Sequence, residues 1–351
     1  MTAKHSTKLS LKARVIIVLA IIAVIALGIT AFSYYLKYFG PNVSNKEEYL
    51  YIKTGSDFET VYRTIRDKEI VNDSVAFRQT AETMNYPQMV KPGKYRLKGG
   101  MSNRKFIAML RSGDQEPVQL KFKNHRLKEN MAAYIATQIE ADSSSIVSLL
   151  DSTEFVEKYG FNTDNVYSVF IPNSYEIYWN TSAKQFFDRM YKEYQKFWTP
   201  SRIAKAEKIG LSKTEVSTLA AIVDAEALND SEMPTIAGLY MNRYKAGIKL
   251  QADPTVIFAN KDFTIRRVLN RHLTKDSPYN TYVYKGLPPG PIMMPSINAI
   301  DAVLNHEKHK YIFMCAKEDF SGYHNFAVTQ AEHQANARRF QRALNERNIK
   351  K

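Results

Sequence analysis

One carboxylate near the middle of the chain, Glu226, has the residue type and the setting that acid–base chemistry needs. The surrounding stretch from Leu219 to Leu228 predicts a helix, which Ser212 and Glu215 would begin as a capping box. Residues placed about 100° apart around this helix form one broad apolar arc, and Glu226 falls inside it. Burial raises the pKa of a carboxyl group, and a general acid working near neutral pH needs such a raised pKa.

The residues alone also allow a structural role for Glu226. A glutamate on an apolar face often pairs with an arginine or caps a neighbouring helix, because a buried charge needs a partner. Asp224, two residues earlier, falls at the edge of the arc, where we expect it to be more easily solvated. The helix pattern therefore marks a candidate acid without deciding between catalysis and structure.

The elements that follow predict the walls of a site. A helix is predicted from about Glu232 to Lys245, and residues 248–258 predict a strand interrupted by Asp253 and Pro254. Rigid loops are predicted at 278–282 and 286–292, where proline and glycine are frequent. Polar residues on such loops can line a binding site. The other predicted elements are strands at 118–122 and 311–314 and helices at 128–139, 183–197, 296–305 and 330–345.

Length and composition limit the class of protein. A chain of 351 residues with 44% hydrophobic residues suits two packed domains. The net charge of +14 favours an anionic partner such as nucleic acid, an acidic membrane surface or an acidic polymer. Nucleic acid gains no support from a zinc-finger spacing, a P-loop or a glycine-rich loop, so we predict no nucleic-acid partner. Cys315 is the only cysteine, which excludes an intramolecular disulfide.

The first residues predict a membrane anchor. A basic tail over 1–14 precedes 15–36, a run without charges that is long enough to cross a bilayer as a helix. Tyr34, Tyr35 and Tyr38 at its far end resemble an interfacial aromatic belt. The basic tail predicts a cytoplasmic N-terminus with the rest of the chain outside the cytoplasmic membrane. A cleaved signal peptide is the alternative, but the apolar run is long and no clear cleavage site follows it.

A small module is predicted beside the anchor. Residues 41–46 predict a linker, and 47–116 predict elements in the order β-α-α-β-α. Such a module next to a membrane would act as a spacer or a binding unit. The larger part, 117–351, would then hold the candidate acid.

Several motifs together resemble one family. They are LAAIVDAE ending at Glu226, LQADPTV over 250–256, YNTY over 279–282, GLPPGPI over 286–292, HNF over 324–326 and FIPNSYE ending at Glu176. In content and order they resemble the membrane-anchored endolytic murein transglycosylases of the MltG (YceG-like) family. The likeness extends from the anchor to the last helix.

This resemblance implies an α+β fold with three parts. They are a single N-terminal transmembrane helix at 15–36, a small LysM-like module at 47–116 and a larger YceG-like catalytic domain at 117–351. The family's catalytic glutamate corresponds to Glu226. The sequence departs from the family pattern at Asp224 and Ala225, where glutamate and lysine are usual, which leaves the role of the first carboxylate undecided.

The resemblance also implies a reaction: cleavage of the β-1,4 bond between N-acetylmuramic acid and N-acetylglucosamine. Glu226 would protonate the leaving oxygen and then deprotonate the muramic acid 6-hydroxyl, which closes a 1,6-anhydro ring. Because the attack is intramolecular, its effective concentration is high. This chemistry requires no metal and no cofactor.

Seven further residues are candidates for substrate binding, each with a structural alternative. Glu176 would orient a sugar or act as a second acid–base group, and His324 would assist binding. Asp253 could instead begin a turn or helix, and the tyrosines could be core residues. The candidates are Glu176, Gln251, Asp253, Tyr279, Asn280, Tyr282 and His324.

Two other functions stay open from the residues. A peptidoglycan hydrolase would need a second carboxylate to activate water or act as a nucleophile, for which Asp224 and Glu176 are candidates. A membrane-tethered wall-binding protein would work through the 47–116 module. The resemblance favours the lytic reaction on glycan strands and suggests proximity to peptidoglycan synthases.

Overall fold

A computed structural model describes residues 10–122 and 124–347. The chain folds into two compact units. The first comprises the residues up to Val118 together with Tyr178–Asn180, and the second comprises Gln119–Ile177 and the residues from Thr181 onward. The first unit contains the predicted anchor and module, and the second contains Glu226.

The first unit begins with a long apolar helix, α1 (Leu11–Phe39), whose 29 residues have the length and composition to cross a membrane. None of its residues is buried against protein. Since an α-helix rises 1.5 Å per residue, α1 is about 43 Å long. It extends the predicted span of 15–36 at both ends.

The rest of the first unit has the predicted order β-α-α-β-α. Aspartate or serine side chains cap the three helices by accepting an amide of the first turn, as Ser102 does for Lys105. The strands pair antiparallel, with Tyr49 opposite Arg96, and close a core that includes Leu50 and Phe77. The elements are β1 (Tyr49–Ile52), α2 (Phe58–Asp67), α3 (Ser74–Thr83), β2 (Gly93–Arg96) and α4 (Asn103–Ser112).

The predicted linker at 41–46 is wrong in its first half. Val43 is 2% exposed, and the amides of Asn42 and Val43 both donate to the carbonyl of Met101. The Asn42 side chain donates to the Asp73 carbonyl and to Asn103 Oδ1, and it accepts the Asp73 amide. Proline and asparagine had indicated a loop, but tertiary hydrogen bonds build this segment into the unit.

The second unit is mainly helical, with two small sheets. One sheet contains β3 (Val118–Lys121) and β4 (Ser174–Ile177). The other pairs β5 (Phe313–Ala316) antiparallel with β6 (His324–Ala327). The helices are α5 (Lys128–Ala136), α6 (Ser143–Asp151), α7 (Thr153–Glu157), α8 (Ala183–Phe197), α9 (Pro200–Ile209), α10 (Lys213–Glu226), α11 (Met233–Lys245), α12 (Asp253–Asn260), α13 (Asn270–Leu273), α14 (Ile297–Leu304) and α15 (Gln330–Glu346).

Helix α10 is the centre of this unit. It packs against α9, α11, α12 and α14, and all eight residues over 216–223 are buried. The predicted capping box of Ser212 and Glu215 is present. The apolar arc is wider than predicted, because Ser217 and Thr218 donate their hydroxyls to carbonyls of their own helix and so enter the core. The helix ends at Glu226 rather than Leu228.

The strand predicted over 248–258 is wrong. Asp253 begins α12, with Pro254 in its first turn. Proline is favoured there because the first amides of a helix have no partner within the helix. Gln251 takes up the change of direction with φ of 54°, in the left-handed region. The turn brings the start of α12 to the end of α10.

We predict that Asn42→Ala loosens the first unit locally. The change removes the Asn42 partner of the buried Asn103 Oδ1 and of the Asp73 amide, which costs about 1–3 kcal/mol. Hydrogen exchange of the full chain in detergent should therefore become about tenfold or more faster at the starts of α3 and α4. Asn45→Ala, at an exposed position, is the control. Equal protection in both variants would contradict the role of Asn42.

Candidate active site

Glu226 lies at the carboxyl end of α10, where α11 and α12 meet it. Tyr240 in the middle of α11 is 2% exposed and donates its hydroxyl to Glu226 Oε1 at 3.0 Å. The backbone amide of Asp253, the first residue of α12, also donates to the Glu226 carboxylate. Glu226 itself is partly exposed, because it opens onto a cavity. Three helices therefore hold one carboxyl group at the edge of the core.

The environment of Glu226 suits a proton donor. The pKa of Glu226 is raised to about 7, mainly by burial and also by the nearby Asp253 carboxylate, against the lowering effect of its hydrogen bonds to Tyr240 and to the Asp253 amide. The carboxyl end of a helix carries partial negative charge, which also disfavours a carboxylate. Near neutral pH, Glu226 can thus exist in both protonation states.

The cavity next to Glu226 has a volume of about 340 Å³. Five of the residues predicted from the sequence line it together: Glu226, Gln251, Asp253, Tyr282 and His324. Tyr240, Arg243, the strand β5 and His333 also line it, together with the apolar residues Leu239, Leu250 and Ile312. A polar cavity around one titratable carboxyl is the arrangement expected of an acid–base site.

Two side chains in the wall fix each other beside Glu226. The Tyr282 hydroxyl donates to Asp253 Oδ1 at 2.7 Å. Burial, together with this hydrogen bond, raises the pKa of Tyr282 above its usual value. Tyr282 therefore stays protonated and keeps the Asp253 carboxylate oriented in the cavity.

Arg243 fixes Gln251. Its guanidinium donates to the carbonyls of Lys249 and Ile312, and it donates to Gln251 Oε1 at 2.5 Å. Arg243 is 5% exposed, and burial lowers its pKa. Because all of these acceptors are neutral oxygens, the guanidinium leaves a positive charge in the cavity wall. It also holds Gln251, whose backbone is in the left-handed region.

His324 is held by a buried carboxylate. Glu232, 6% exposed, accepts the His324 backbone amide and His324 Nδ1, each at 2.8 Å. Because Nδ1 donates to the Glu232 carboxylate, Nε2 of the neutral ring is an acceptor. The pair therefore sets the orientation of the imidazole ring.

Three of the residues predicted to bind substrate, Glu176, Asn280 and Tyr279, do not line the cavity of Glu226. Glu176 is exposed on β4, where Gln119 Nε2 donates to it at 2.6 Å. Asn280 is fully buried and donates to the carbonyls of Leu273 and Lys275. The structure does not bring either side chain to the cavity of Glu226.

Tyr279 lines a second cavity of about 420 Å³. Its ring lies 4.7 Å from that of Phe258, and its hydroxyl donates to Asp164 Oδ1 at 3.2 Å. Phe263 and Arg126 also line this cavity, and the Arg126 guanidinium lies 5.1 Å from the centroid of the Phe263 ring. The YNTY motif thus contributes Tyr282 to the first cavity and Tyr279 to the second.

Asp224 is less solvated than expected. Its carboxylate accepts the Ser296 amide at 2.8 Å and the Ser296 hydroxyl at 3.0 Å, and Ser296 is the N-cap of α14. Asn124 donates to it as well. Burial raises the pKa of Asp224. These contacts tie α10 to the start of α14.

Sequence reasoning missed Tyr240, Arg243, Glu232 and His333. Tyr240 has no local signal, because it sits among apolar helix residues where a core tyrosine is expected. Arg243 lies in the last turn of α11, where the helix dipole favours any basic residue. Within 10–122 and 124–347, His, Cys, Asp and Glu side chains form no group of three suited to a metal ion.

The sequence profile described as the YceG-like family matches residues 50–339. The chain belongs to the YceG-like family. The matched range extends from β1 into α15, so it includes every residue of both cavities described above.

This YceG-like chain is similar to two proteins named endolytic murein transglycosylase and to one solved YceG-like structure. The endolytic murein transglycosylase of Bacillus subtilis (strain 168) is 26% identical over 315 residues, which cover 84% of this chain and 85% of that protein. The endolytic murein transglycosylase of Streptococcus pneumoniae serotype 2 (strain D39) is 24% identical, and the match covers 93% of this chain and 64% of that protein. The crystal structure of a YceG-like protein from Listeria monocytogenes matches with a TM-score of 0.54 and 25% identity, over 82% of this chain and 98% of that chain.

We predict that Glu226→Gln stabilises the protein at alkaline pH. The folded pKa of about 7 exceeds the unfolded value of 4.5, so the wild type loses stability as pH rises from 4.5 to 7. At pH 8 the neutral glutamine avoids a penalty of about 3 kcal/mol, and most of the difference is gone near pH 4.5. Thermal unfolding of the full chain in detergent at both pH values measures it. Glu176→Gln, at an exposed carboxylate, should show no such pH-dependent gain.

Proposed function

We propose that this chain is an endolytic peptidoglycan lytic transglycosylase. It cleaves the β-1,4 bond between N-acetylmuramic acid and N-acetylglucosamine within a strand and leaves a 1,6-anhydro-muramic acid end. The observation that carries the proposal is a glutamate with a pKa of about 7 that lines a polar cavity. Membership of the YceG-like family and relatives named endolytic murein transglycosylases support the same activity.

In the first step the proton moves from Glu226 to the glycosidic oxygen, and the bond from that oxygen to the anomeric carbon of muramic acid breaks. Tyr240 and the Asp253 amide stabilise the carboxylate that remains. In the second step the muramic acid 6-hydroxyl attacks the anomeric carbon and returns its proton to Glu226. The enzyme is regenerated and no water is consumed.

The other cavity residues would bind and orient sugar. The Asp253 carboxylate lies close enough to influence the Glu226 charge, and it would also stabilise positive charge that develops at the anomeric carbon. Tyr282, Gln251 and His324 carry hydrogen-bonding groups that the neighbouring Asp253, Arg243 and Glu232 hold in place. This preorganisation reduces the entropy lost when a flexible polymer binds.

The residues outside this cavity take different proposed roles. Tyr279, with the aromatic wall of the second cavity, would bind a further sugar of the same strand. Asn280 would shape the loop that carries both tyrosines, since it accepts the Tyr282 amide. Glu176 would contact a distant part of the polymer from its exposed strand.

The first unit would place the enzyme at its substrate. Helix α1 would anchor the chain in the cytoplasmic membrane, with the basic tail inside and the catalytic unit outside. The LysM-like module would bind glycan or act as a spacer beside the membrane. Nascent strands emerge there from peptidoglycan synthases, which are the proposed neighbours.

A hydrolase on the same polymer is the alternative, because a second carboxylate, Asp253, lines the cavity. Water activated by Asp253 would replace the 6-hydroxyl as the acceptor. The two reactions differ in the end that they leave on the glycan: an anhydro ring or an ordinary reducing end.

The direct test is mass spectrometry of fragments released from peptidoglycan and from uncrosslinked nascent strands by the full chain in detergent. We expect 1,6-anhydro ends from the wild type and a rate about 100-fold or more lower for Glu226→Gln. Glu207→Gln, at an exposed position of α9 that lines neither cavity, is the matched control and should remain active. Reducing ends would favour the hydrolase, and unchanged activity of Glu226→Gln would refute the proposed acid.

We further predict that Tyr240→Phe moves the alkaline limb of the pH–rate profile upward. The Tyr240 hydrogen bond lowers the pKa of Glu226, so its loss raises that pKa and keeps the acid protonated to higher pH. Tyr282→Phe removes a hydroxyl that bonds Asp253 instead and should leave the limb near its original pH. A downward shift in Tyr240→Phe would contradict the assignment.

A further inference from the structure

A separate cavity of about 580 Å³ lies in the first unit at the carboxyl end of α1. Tyr35 and Phe39 of α1 form one side, and Arg104 and Lys105 of α4 form the other. The Arg104 guanidinium lies 5.2 Å from the Phe39 ring centroid. Its floor contains the Gly99 and Gly100 backbone, with Met101, Ser102 and Ala108. The cavity thus combines aromatic surface with two cationic groups.

The depth of the cavity follows from α1, provided that α1 is the membrane anchor proposed above. The uncharged residues of α1 end at Leu36, and aromatic residues occupy its last turns. Aromatic side chains at the end of a span lie at the level of the lipid headgroups. Tyr35 and Phe39 therefore place this cavity where the phosphates of the outer leaflet lie.

Hydrogen bonds hold α4 against the end of α1. Asn103 Nδ2 donates to the Lys37 carbonyl at 2.9 Å, and Asn103 Oδ1 accepts from Asn42 at 2.7 Å. The backbone at Pro41 forms a bridge to Ser102, the N-cap of α4. Because the residues before and after Gly40 are both bonded to the start of α4, the cavity keeps its place relative to the membrane helix.

The charged residues that line the cavity, Arg104 and Lys105, are of one sign. Residues 97–112 contain two lysines and two arginines and no acidic residue, and residues 30–46 contain no acidic residue either. Arg104 and Lys105 are exposed, and neither forms an ion pair within the parts of the chain that the structure describes. Each basic residue near an anionic leaflet adds attraction to it. The cavity therefore has unpaired positive charge at phosphate depth.

We propose that this cavity binds the headgroup phosphate of an anionic glycerophospholipid. Arg104 and Lys105 contact the phosphate, the glycerol lies against the Phe39 ring, and the acyl chains follow α1. A lipid fits better than free phosphate because four of the nine lining residues are apolar or aromatic, and two of these belong to an exposed apolar helix. The bound lipid would fix the height of the module above the bilayer.

The test is native mass spectrometry of the full chain released from nanodiscs that contain equal amounts of phosphatidylglycerol and phosphatidylcholine. We expect the wild type to retain phosphatidylglycerol preferentially, and R104Q/K105Q to lose that preference about tenfold or more. R104K/K105R keeps both charges and should keep the preference. The matched control is K53Q/R63Q, which removes one lysine and one arginine from exposed positions of the same unit that do not line the cavity.

Several outcomes would overturn the proposal. They are equal retention of both lipids by the wild type, unchanged preference in R104Q/K105Q, and an equal loss in K53Q/R63Q. Displacement of the retained lipid by inorganic phosphate added to the sample would identify a site for the free anion instead. Circular dichroism of R104Q/K105Q must match that of the wild type, and if it does not, R104Q alone is compared in the same way.

Separate readouts keep this inference distinct from the proposed enzyme activity. Glycan cleavage in detergent tests the activity without a bilayer, and incorporation into nanodiscs tests the anchor. A chain that inserts and cleaves but shows no lipid preference refutes the lipid site alone. A chain that retains phosphatidylglycerol but cleaves nothing refutes the enzyme alone.

Discussion

The hydrogen bond from Tyr240 to Glu226, at the edge of a desolvated core, is the interaction on which the site depends. Burial alone would keep Glu226 protonated, and full hydration would keep it ionised. The tyrosine hydroxyl and the Asp253 amide offset part of the burial, which leaves a pKa of about 7. The balance requires α10 to end where α11 and α12 pass, and the packing of the second unit provides that arrangement.

Hydrogen bonds also orient other polar side chains of the cavity. Three polar side chains that face it are each held by a hydrogen-bond partner: Tyr282 by Asp253, Gln251 by Arg243 and His324 by Glu232. Buried polar groups of this kind are stable only when all of their hydrogen bonds are made. The cavity is therefore preorganised for a polar ligand such as a sugar, with little motion required of its walls.

In the first unit, two buried asparagines make several structural hydrogen bonds each. Asn42 and Asn103 satisfy each other and also bond the backbone of α1 and the start of α3, so a few buried amides join the apolar helix to the module. Arg104 and Lys105, for which no ion pair is found within the described residues, line the cavity at the end of the helix. Composition indicated only some anionic partner, and these two residues place a small part of that positive charge at one cavity.

The sequence alone determined the helices with strong caps and periodicity, the apolar span, the order of elements in 47–116 and the candidacy of Glu226. It also indicated the YceG-like family, which the family profile confirms. These properties are local, since a cap, a repeat or a motif lies within a few residues. Only the tertiary structure decided that Asp253 begins a helix, that Asn42 and Val43 are packed, and that Asp224 holds Ser296. It alone brought Tyr240, Arg243 and Glu232 to the site, because partners distant in the chain leave no periodic trace in the sequence.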